Sequence, residues 1–141
     1  MRRRFDSSMG HMLHFFEKNK FMAISLMIFI AGTIWYLSSI SSDPVPSIGF
    51  KYKSYIYHFG IFFLLCLSAI ISFSKDRKSE NGKGIAIISS ILYALIDELH
   101  QSFVPGRSVS VGDFLIDSLG IALAGIFYSF RIKNIHNKKL K

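Results

Sequence analysis

Long apolar blocks separated by short charged stretches dominate the pattern of this chain. The first block, FMAISLMIFIAGTIWYLSSI at residues 21–40, contains no charged residue. About 20 such residues are enough for a helix to cross the core of a bilayer. Further blocks follow at residues 55–73, 84–104 and 114–131, and only the last two contain acids. The pattern predicts an all-α integral membrane protein, a bundle of four transmembrane helices.

The length of the chain is that of a single domain. It has 141 residues, of which 50% are hydrophobic. We expect residues 12–141 to form this domain. We expect residues 1–11 to be a leader, disordered or left by an expression tag, because SSMGHM at residues 7–12 is typical of such a tag. No A-x-A cleavage site follows residues 21–40, so we expect that block to stay as a helix.

Basic residues are distributed unevenly between the predicted helices. With the amino terminus placed inside, 14 of the 17 Lys and Arg residues fall on the cytoplasmic side, and this bias sets the orientation of membrane proteins. We therefore expect both termini to lie in the cytosol. The net charge of +8 then favours anionic membrane lipid as a partner. No soluble basic face is visible, so we expect no nucleic-acid partner.

Polar residues interrupt the apolar pattern where the predicted helices meet at one end. Asp97, His100 and Gln101 have the i, i+3, i+4 spacing that places residues on one face of a helix. In a bundle of alternating helices, the end of the third helix lies beside the starts of the second and fourth. His58 and Asp117 occupy those starts. The topology alone therefore predicts a polar site at the outer end.

One face of the fourth predicted helix carries acids and small residues in register. Asp113 and Asp117 are four residues apart, and Gly120 and Ala124 continue the stripe in a small-xxx-small pattern that lets another helix pack closely. Both acids should therefore point into the bundle. A charge at the bilayer centre costs about 2.5–3.5 kcal/mol on insertion scales, so an acid such as Asp117 is expected to be functional. For Asp113 the alternative is an N-cap, since it precedes an apolar run.

Carboxylates and imidazoles in this arrangement could hold a divalent metal or transfer protons on a lipid-linked substrate. The candidate metal ligands are Asp97, His100, Asp113 and Asp117. The candidate catalytic residues are Asp97, Glu98, His100 and Asp117. The candidate substrate-binding residues are His58, Gln101, Arg107 and Asp113. Among them, the arginine is the expected anchor for an anionic headgroup.

Simpler interpretations stay open for several of these residues. Arg107 could pair with Glu98 or lie at the lipid headgroups. His58 and His100 could be interface histidines with satisfied hydrogen bonds. Pro105 is expected to end the third helix, because a proline disfavours helical geometry in the residue before it.

The segment YALIDELHQSFVPGRSVSVGDFLIDSLG at residues 93–120 resembles the signature of VanZ-like membrane proteins. The shared pattern is an acidic pair, His-Gln, a phenylalanine, P-G-R, and two aspartates four residues apart followed by a glycine. HFGIFF at residues 58–63 resembles the earlier histidine motif of the family, but Lys53 lies one place further from that histidine than usual and Phe62 replaces a tyrosine. The resemblance covers roughly residues 21–131. It implies four membrane helices, a bacterial origin and a link to glycopeptide resistance, in particular to teicoplanin.

Two classes of function, and a third, simpler one, follow from these observations. The first is a protein of the bacterial plasma membrane that binds or modifies an envelope lipid, a lipid-linked cell-wall precursor or a lipoglycopeptide. The second is a small four-helix transporter, which usually needs a carboxylate near the midplane rather than at one end. The third is a structural partner of cell-wall machinery, in which the polar residues only hold the helices together.

Overall fold

The computed structural model describes residues 15, 19–41, 48–74, 80–107 and 109–139. Within these ranges the chain forms four helices and no strand. They are α1 (Lys20–Ser38), α2 (Ile48–Phe73), α3 (Glu80–Gln101) and α4 (Val111–Lys139). The leader predicted at residues 1–11 lies outside the described residues. The all-α fold class is confirmed, and the predicted helix bounds are corrected at most ends.

The four helices alternate in direction. Lys20, at the start of α1, donates from Nζ to the carbonyl of Ser74 just after α2, at 2.7 Å. Lys83, early in α3, donates to the hydroxyl of Ser129, late in α4, at 3.3 Å. α2 is the central helix, because its contacts with the other three are the most extensive, whereas α3 meets α1 only narrowly. One end of the bundle therefore combines the carboxyl ends of α1 and α3 with the amino ends of α2 and α4.

α3 carries its large apolar side chains on the outside of the bundle, as expected for a helix solvated by lipid. Along α3 the buried stripe consists of small and polar residues, including Ala86, Ser90 and Asp97. The outward face carries large apolar side chains such as Ile88 and Leu92, which are 61% and 53% exposed. Burial of small residues between helices is typical of membrane bundles, where lipid solvates the large apolar ones.

Three helical stretches in the described residues are long and apolar enough to cross a membrane: Lys20–Ser38, Tyr52–Phe73 and Val111–Arg131. α3 is not among them, because its acids and small polar residues reduce its apolar character. It nevertheless has 22 residues and packs against both α2 and α4. The structure is thus an all-α membrane bundle.

α2 and α4 approach each other most closely at Gly120. A Cβ atom added there would lie 2.5 Å from the carbonyl oxygen of Phe59 and 3.2 Å from the backbone nitrogen of Phe63. Ala124, one turn further along α4, is fully buried. The close packing predicted for the small stripe of the last helix is confirmed.

α3 ends at Gln101, before the proline that was expected to end it. Three successive i→i+3 bonds follow, from the amides of Ser102, Phe103 and Val104. The amide of Arg107 then donates to the carbonyl of Val104 at 3.1 Å, which closes a turn across Pro105 and Gly106. Gly106 has φ 78°, which suits a glycine at the third position of a type II turn after proline. Pro105 therefore shapes the turn rather than the helix end.

Candidate functional site

Five polar side chains are buried together at the end of the bundle where α3 finishes. They are His58, Asp97, Glu98, Gln101 and Asp117, and none is more than 4% exposed. They come from α2, α3 and α4. All five were site candidates from the sequence, and the structure brings them to one end as predicted. We call these five residues the acidic cluster.

The core of the acidic cluster is a pair between α2 and α4. Nδ1 of His58 lies 3.1 Å from Oδ1 of Asp117. The two helices run in the same direction, and Gly120 meets Phe59 close to this pair. The absence of a side chain at Gly120 therefore lets the imidazole and the carboxylate come within hydrogen-bonding distance.

Each carboxylate of the acidic cluster uses one oxygen and leaves the other without a partner. Oδ2 of Asp97 accepts from Nε2 of Gln101 at 3.0 Å, and Oε2 of Glu98 accepts from the amide of Ser110 at 2.8 Å. Oδ1 of Asp97, Oε1 of Glu98 and Oδ2 of Asp117 are buried with no hydrogen-bond partner among the described residues. Buried polar atoms are almost always paired, and an unpaired one costs about 1–3 kcal/mol. These three oxygens are thus available to a ligand.

Ser110, not Asp113, caps the start of α4. The amide of Asp113 donates to Oγ of Ser110 at 3.1 Å, the bond that an N-cap side chain makes three residues into a helix. In a capping box the side chain of Asp113 would accept a hydrogen bond from the Ser110 amide in return. Here that amide donates to Glu98 of α3 instead. The N-cap interpretation of Asp113 is wrong. Its half-buried side chain lies at the start of α4, beside the acidic cluster.

Arg107 binds the end of α1 and not Glu98. Its Nη2 donates to the carbonyl of Leu37 at 2.9 Å, and its Nε donates to the carbonyl of Ile40 at 3.2 Å. The last carbonyls of a helix lack partners within it, and a cation near them is favoured by the helix dipole. Arg107 therefore fixes α1 to the loop between α3 and α4, and the alternative of an Arg107–Glu98 pair is wrong.

His100 lies apart from the acidic cluster. Its ring stacks on that of Trp35, with centroids 4.0 Å apart, and its Nε2 lies 2.9 Å from Oγ of Ser39. At 3.6 residues per turn, His100 is rotated about 60° from Asp97 one way, and Gln101 is rotated about 40° the other way. This rotation is why Gln101 faces the cluster while His100 faces α1.

The acidic cluster has the donor atoms for a metal ion. Among the described residues, ligand atoms of His58, Glu98 and Asp117 all lie within 4.8 Å of one another. Of the metal candidates from the sequence, only Asp117 belongs to this group. Asp97 lies in the same cluster, where its Oδ2 accepts from Gln101. In the part of the chain that the structure describes, no Lys or Arg side chain pairs with these carboxylates.

Sequence reasoning missed two contributors to this end of the bundle. Ser110 supplies the amide that holds Glu98, and the signal for its position is the S-x-x-D spacing of Ser110 and Asp113 before an apolar run. Trp35 was not among the candidate residues, yet its ring stacks on that of His100. No local pattern indicates that contact, because it joins two helices far apart in the sequence.

A family model described as VanZ/LLP1 matches residues 3–133. No curated protein matches the chain, and no solved structure matches it.

Proposed function

Because the chain belongs to the VanZ/LLP1 family, we propose that it binds or modifies a cell-envelope lipid or lipid-linked cell-wall precursor in the bacterial plasma membrane. The acidic cluster is the site of this interaction. By acting on that component, the protein lessens the effect of teicoplanin and related lipoglycopeptides. The transmembrane helices and the position of the cluster at one end of the bundle support this proposal.

The observation that carries the proposal is the set of three buried carboxylate oxygens without a partner. They belong to Asp97, Glu98 and Asp117, and none of these residues is more than 3% exposed. A purely structural cluster gains nothing from such oxygens, because each one costs desolvation free energy without a hydrogen bond in return. A ligand with hydroxyl or ammonium donors, or a cation that carries a phosphate, would pair with them.

Within this site the chain offers an acid–base pair and two acceptors. The imidazole of His58 and the carboxylate of Asp117, 3.1 Å apart, can exchange a proton with a bound hydroxyl group. Asp97 and Glu98 would accept hydrogen bonds from the same ligand. Arg107 lies at the same end of the bundle, where its Nε and Nη2 bind the carbonyls of Ile40 and Leu37, and its contact with an anionic headgroup stays a prediction.

Susceptibility to teicoplanin tests this function. We expect Glu98→Gln and Asp117→Asn, expressed at the level of the wild type in a susceptible bacterial host, to protect no better than an empty vector. Each substitution keeps the size of the side chain and removes the carboxylate charge. Glu80→Gln is the matched control, because Glu80 is an exposed acid at the opposite end of α3, and it should protect as the wild type does.

Two other results would end the proposal. Wild-type protection by both cluster variants would mean that the acidic cluster is not the site. Loss of the folded protein from the membrane in both variants, with His58→Gln behaving likewise, would instead favour a structural role within cell-wall machinery.

A further inference from the structure

We propose that His58, Glu98 and Asp117 together bind one divalent transition-metal ion, Mn²⁺ or Zn²⁺. This deepens the proposed function and rests on the same acidic cluster, because the ion would give an acidic site the means to hold a phosphate-bearing lipid. With the ion bound, His58 and Asp117 would act as its ligands and would not exchange protons with the lipid. The ligand set is one imidazole and two carboxylates. Imidazole suits zinc and other transition metals, and carboxylates suit manganese and magnesium, so the mixture favours an ion that accepts both.

The spacing of the ligand atoms fits a single ion. All three residues offer an atom within 4.8 Å of the other two. Nδ1 of His58 and Oδ1 of Asp117 are 3.1 Å apart. Two adjacent ligands of one ion, with bonds of about 2.0–2.2 Å, are themselves about 3.0–3.5 Å apart. The pair could therefore bind one ion with little movement of either helix.

The unpaired oxygens are a second and independent indication of a ligand. Glu98 is 3% exposed and Asp117 is fully buried, yet Oε1 of Glu98 and Oδ2 of Asp117 have no hydrogen-bond partner among the described residues. Buried charges are normally paired with opposite charge or coordinate a metal. Arg107, the nearest arginine in the sequence, is committed to the end of α1. A bound cation would satisfy both the charge and the oxygens.

Neighbouring groups already orient the ligands. The Ser110 amide holds one oxygen of Glu98 at 2.8 Å, and Gly120 sets the distance between the helices that carry His58 and Asp117. Hydrogen bonds that fix a metal ligand strengthen metal binding. Three protein ligands would leave coordination positions open, and a phosphate oxygen of an envelope lipid is the kind of group that could fill one.

Calorimetric titration of the purified full chain in detergent micelles, after treatment with a chelator, tests the site directly. The probes are MnCl₂ and ZnCl₂, each alone. We expect one ion per chain for at least one of them, with affinity at least about tenfold weaker in Glu98→Gln and Asp117→Asn, since even outer neighbours of a metal contribute about 10–100-fold. Glu80→Gln should bind as the wild type does.

The identity of the nitrogen ligand is tested with bound Mn²⁺. Electron spin echo modulation should show the ¹⁴N coupling of one imidazole, and His58→Gln should remove it. The inference is overturned if neither ion binds stoichiometrically. It is also overturned if both acid variants bind the ion as the wild type does. Persistence of the imidazole signal in His58→Gln overturns it as well. Circular dichroism and a monodisperse elution profile establish that each variant is folded.

The metal site and the proposed function can fail separately. Metal binding by a wild type that gives no protection against teicoplanin would leave the site in place and remove the function. Protection that depends on Glu98 and Asp117, in a protein that binds neither ion, would keep the function and remove the metal.

Discussion

Gly120 sets the spacing of the acidic cluster. A Cβ at this position would meet the carbonyl oxygen of Phe59 at 2.5 Å and its carbonyl carbon at 3.3 Å. Both are backbone atoms, which cannot move aside as the end of a flexible side chain can. His58 and Asp117 lie one turn or less from this contact. The distance between them therefore depends on Gly120, a residue that has no side chain and takes no part in their hydrogen bond.

We expect Gly120→Ala to lower the free energy of unfolding by about 1–3 kcal/mol, the usual cost of overpacking. The added methyl group would push α4 away from α2, so the His58–Asp117 distance should lengthen as well. Thermal unfolding of the purified protein in detergent micelles measures the effect.

Gly60→Ala is the matched control for this substitution. Gly60 lies next to Phe59 on α2, but a Cβ added there has nothing within 4 Å. Its stability should stay the same or rise by up to about 1 kcal/mol, because alanine favours a helix more than glycine does. Equal loss of stability in both variants would refute the close-contact explanation.

The sequence predicts the site residues only as far as the helical period determines which face of a helix each residue occupies. Asp97 and Gln101, four residues apart, share a face and a hydrogen bond. His100, three residues from Asp97, falls on the other side of that face and meets Trp35. Spacings of i+3 and i+4 both place residues near one face of a helix, so spacing alone cannot separate His100 from Gln101. Helix packing determines which neighbouring helix each of the two side chains contacts.

At the scale of elements, the end of α1 is held by a residue from a distant loop. Arg107 binds the carbonyls of Leu37 and Ile40, 70 and 67 positions earlier in the chain. The turn across Pro105 and Gly106 places the arginine there. The P-G-R block thus joins two helices that are not neighbours in the sequence.

Arg107→Ala should destabilise the bundle by about 1.5–3 kcal/mol, the range for hydrogen bonds to charged groups. Arg107→Lys should restore part of this loss, because an ammonium group keeps the charge but not the fork of donors. Denaturant unfolding in micelles measures both, and Mn²⁺ or Zn²⁺ binding by the folded fraction should not change. A variant of normal stability that loses protection against teicoplanin would instead indicate contact between Arg107 and the ligand.

The apolar pattern predicted the existence and order of the helices better than their ends. α2 begins at Ile48 and α4 continues to Lys139, well beyond the apolar blocks at residues 55–73 and 114–131. Hydropathy marks the part of a helix that lies in lipid, whereas a helix continues into water wherever its backbone bonds persist. α3, by contrast, ends earlier than its apolar block at residues 84–104. The tighter i→i+3 bonds of residues 102–104 replace the α-helical bonds before Pro105 is reached.

At the scale of the whole molecule, the two ends of the bundle differ in chemistry. One end holds the acidic cluster, and the other carries Lys20, Lys83 and Arg131 on α1, α3 and α4. Cytoplasmic ends of membrane proteins are enriched in basic residues. The acidic cluster should therefore face the outside of the cell, where the proposed envelope ligand is.

Labelling of single cysteines in intact cells tests this orientation. In a Cys66→Ala background, we expect Ser41→Cys at the cluster end to react with a membrane-impermeant maleimide. Glu80→Cys at the basic end should react only after permeabilisation. Both positions are exposed, and Cys66 is the single cysteine of the chain and is buried. The reverse labelling pattern would place the site in the cytosol.

The bond between Glu98 and the amide of Ser110 has a consequence for how the protein is made. Ribosomes release the chain from its amino end, so α3 leaves the ribosome before Ser110 does. Until Ser110 follows, Glu98 lacks its backbone donor, whereas Gln101, the partner of Asp97, is already present on α3. Glu98 gains this donor only when α3 and α4 form a hairpin, so co-translational insertion of the third helix is completed by the fourth.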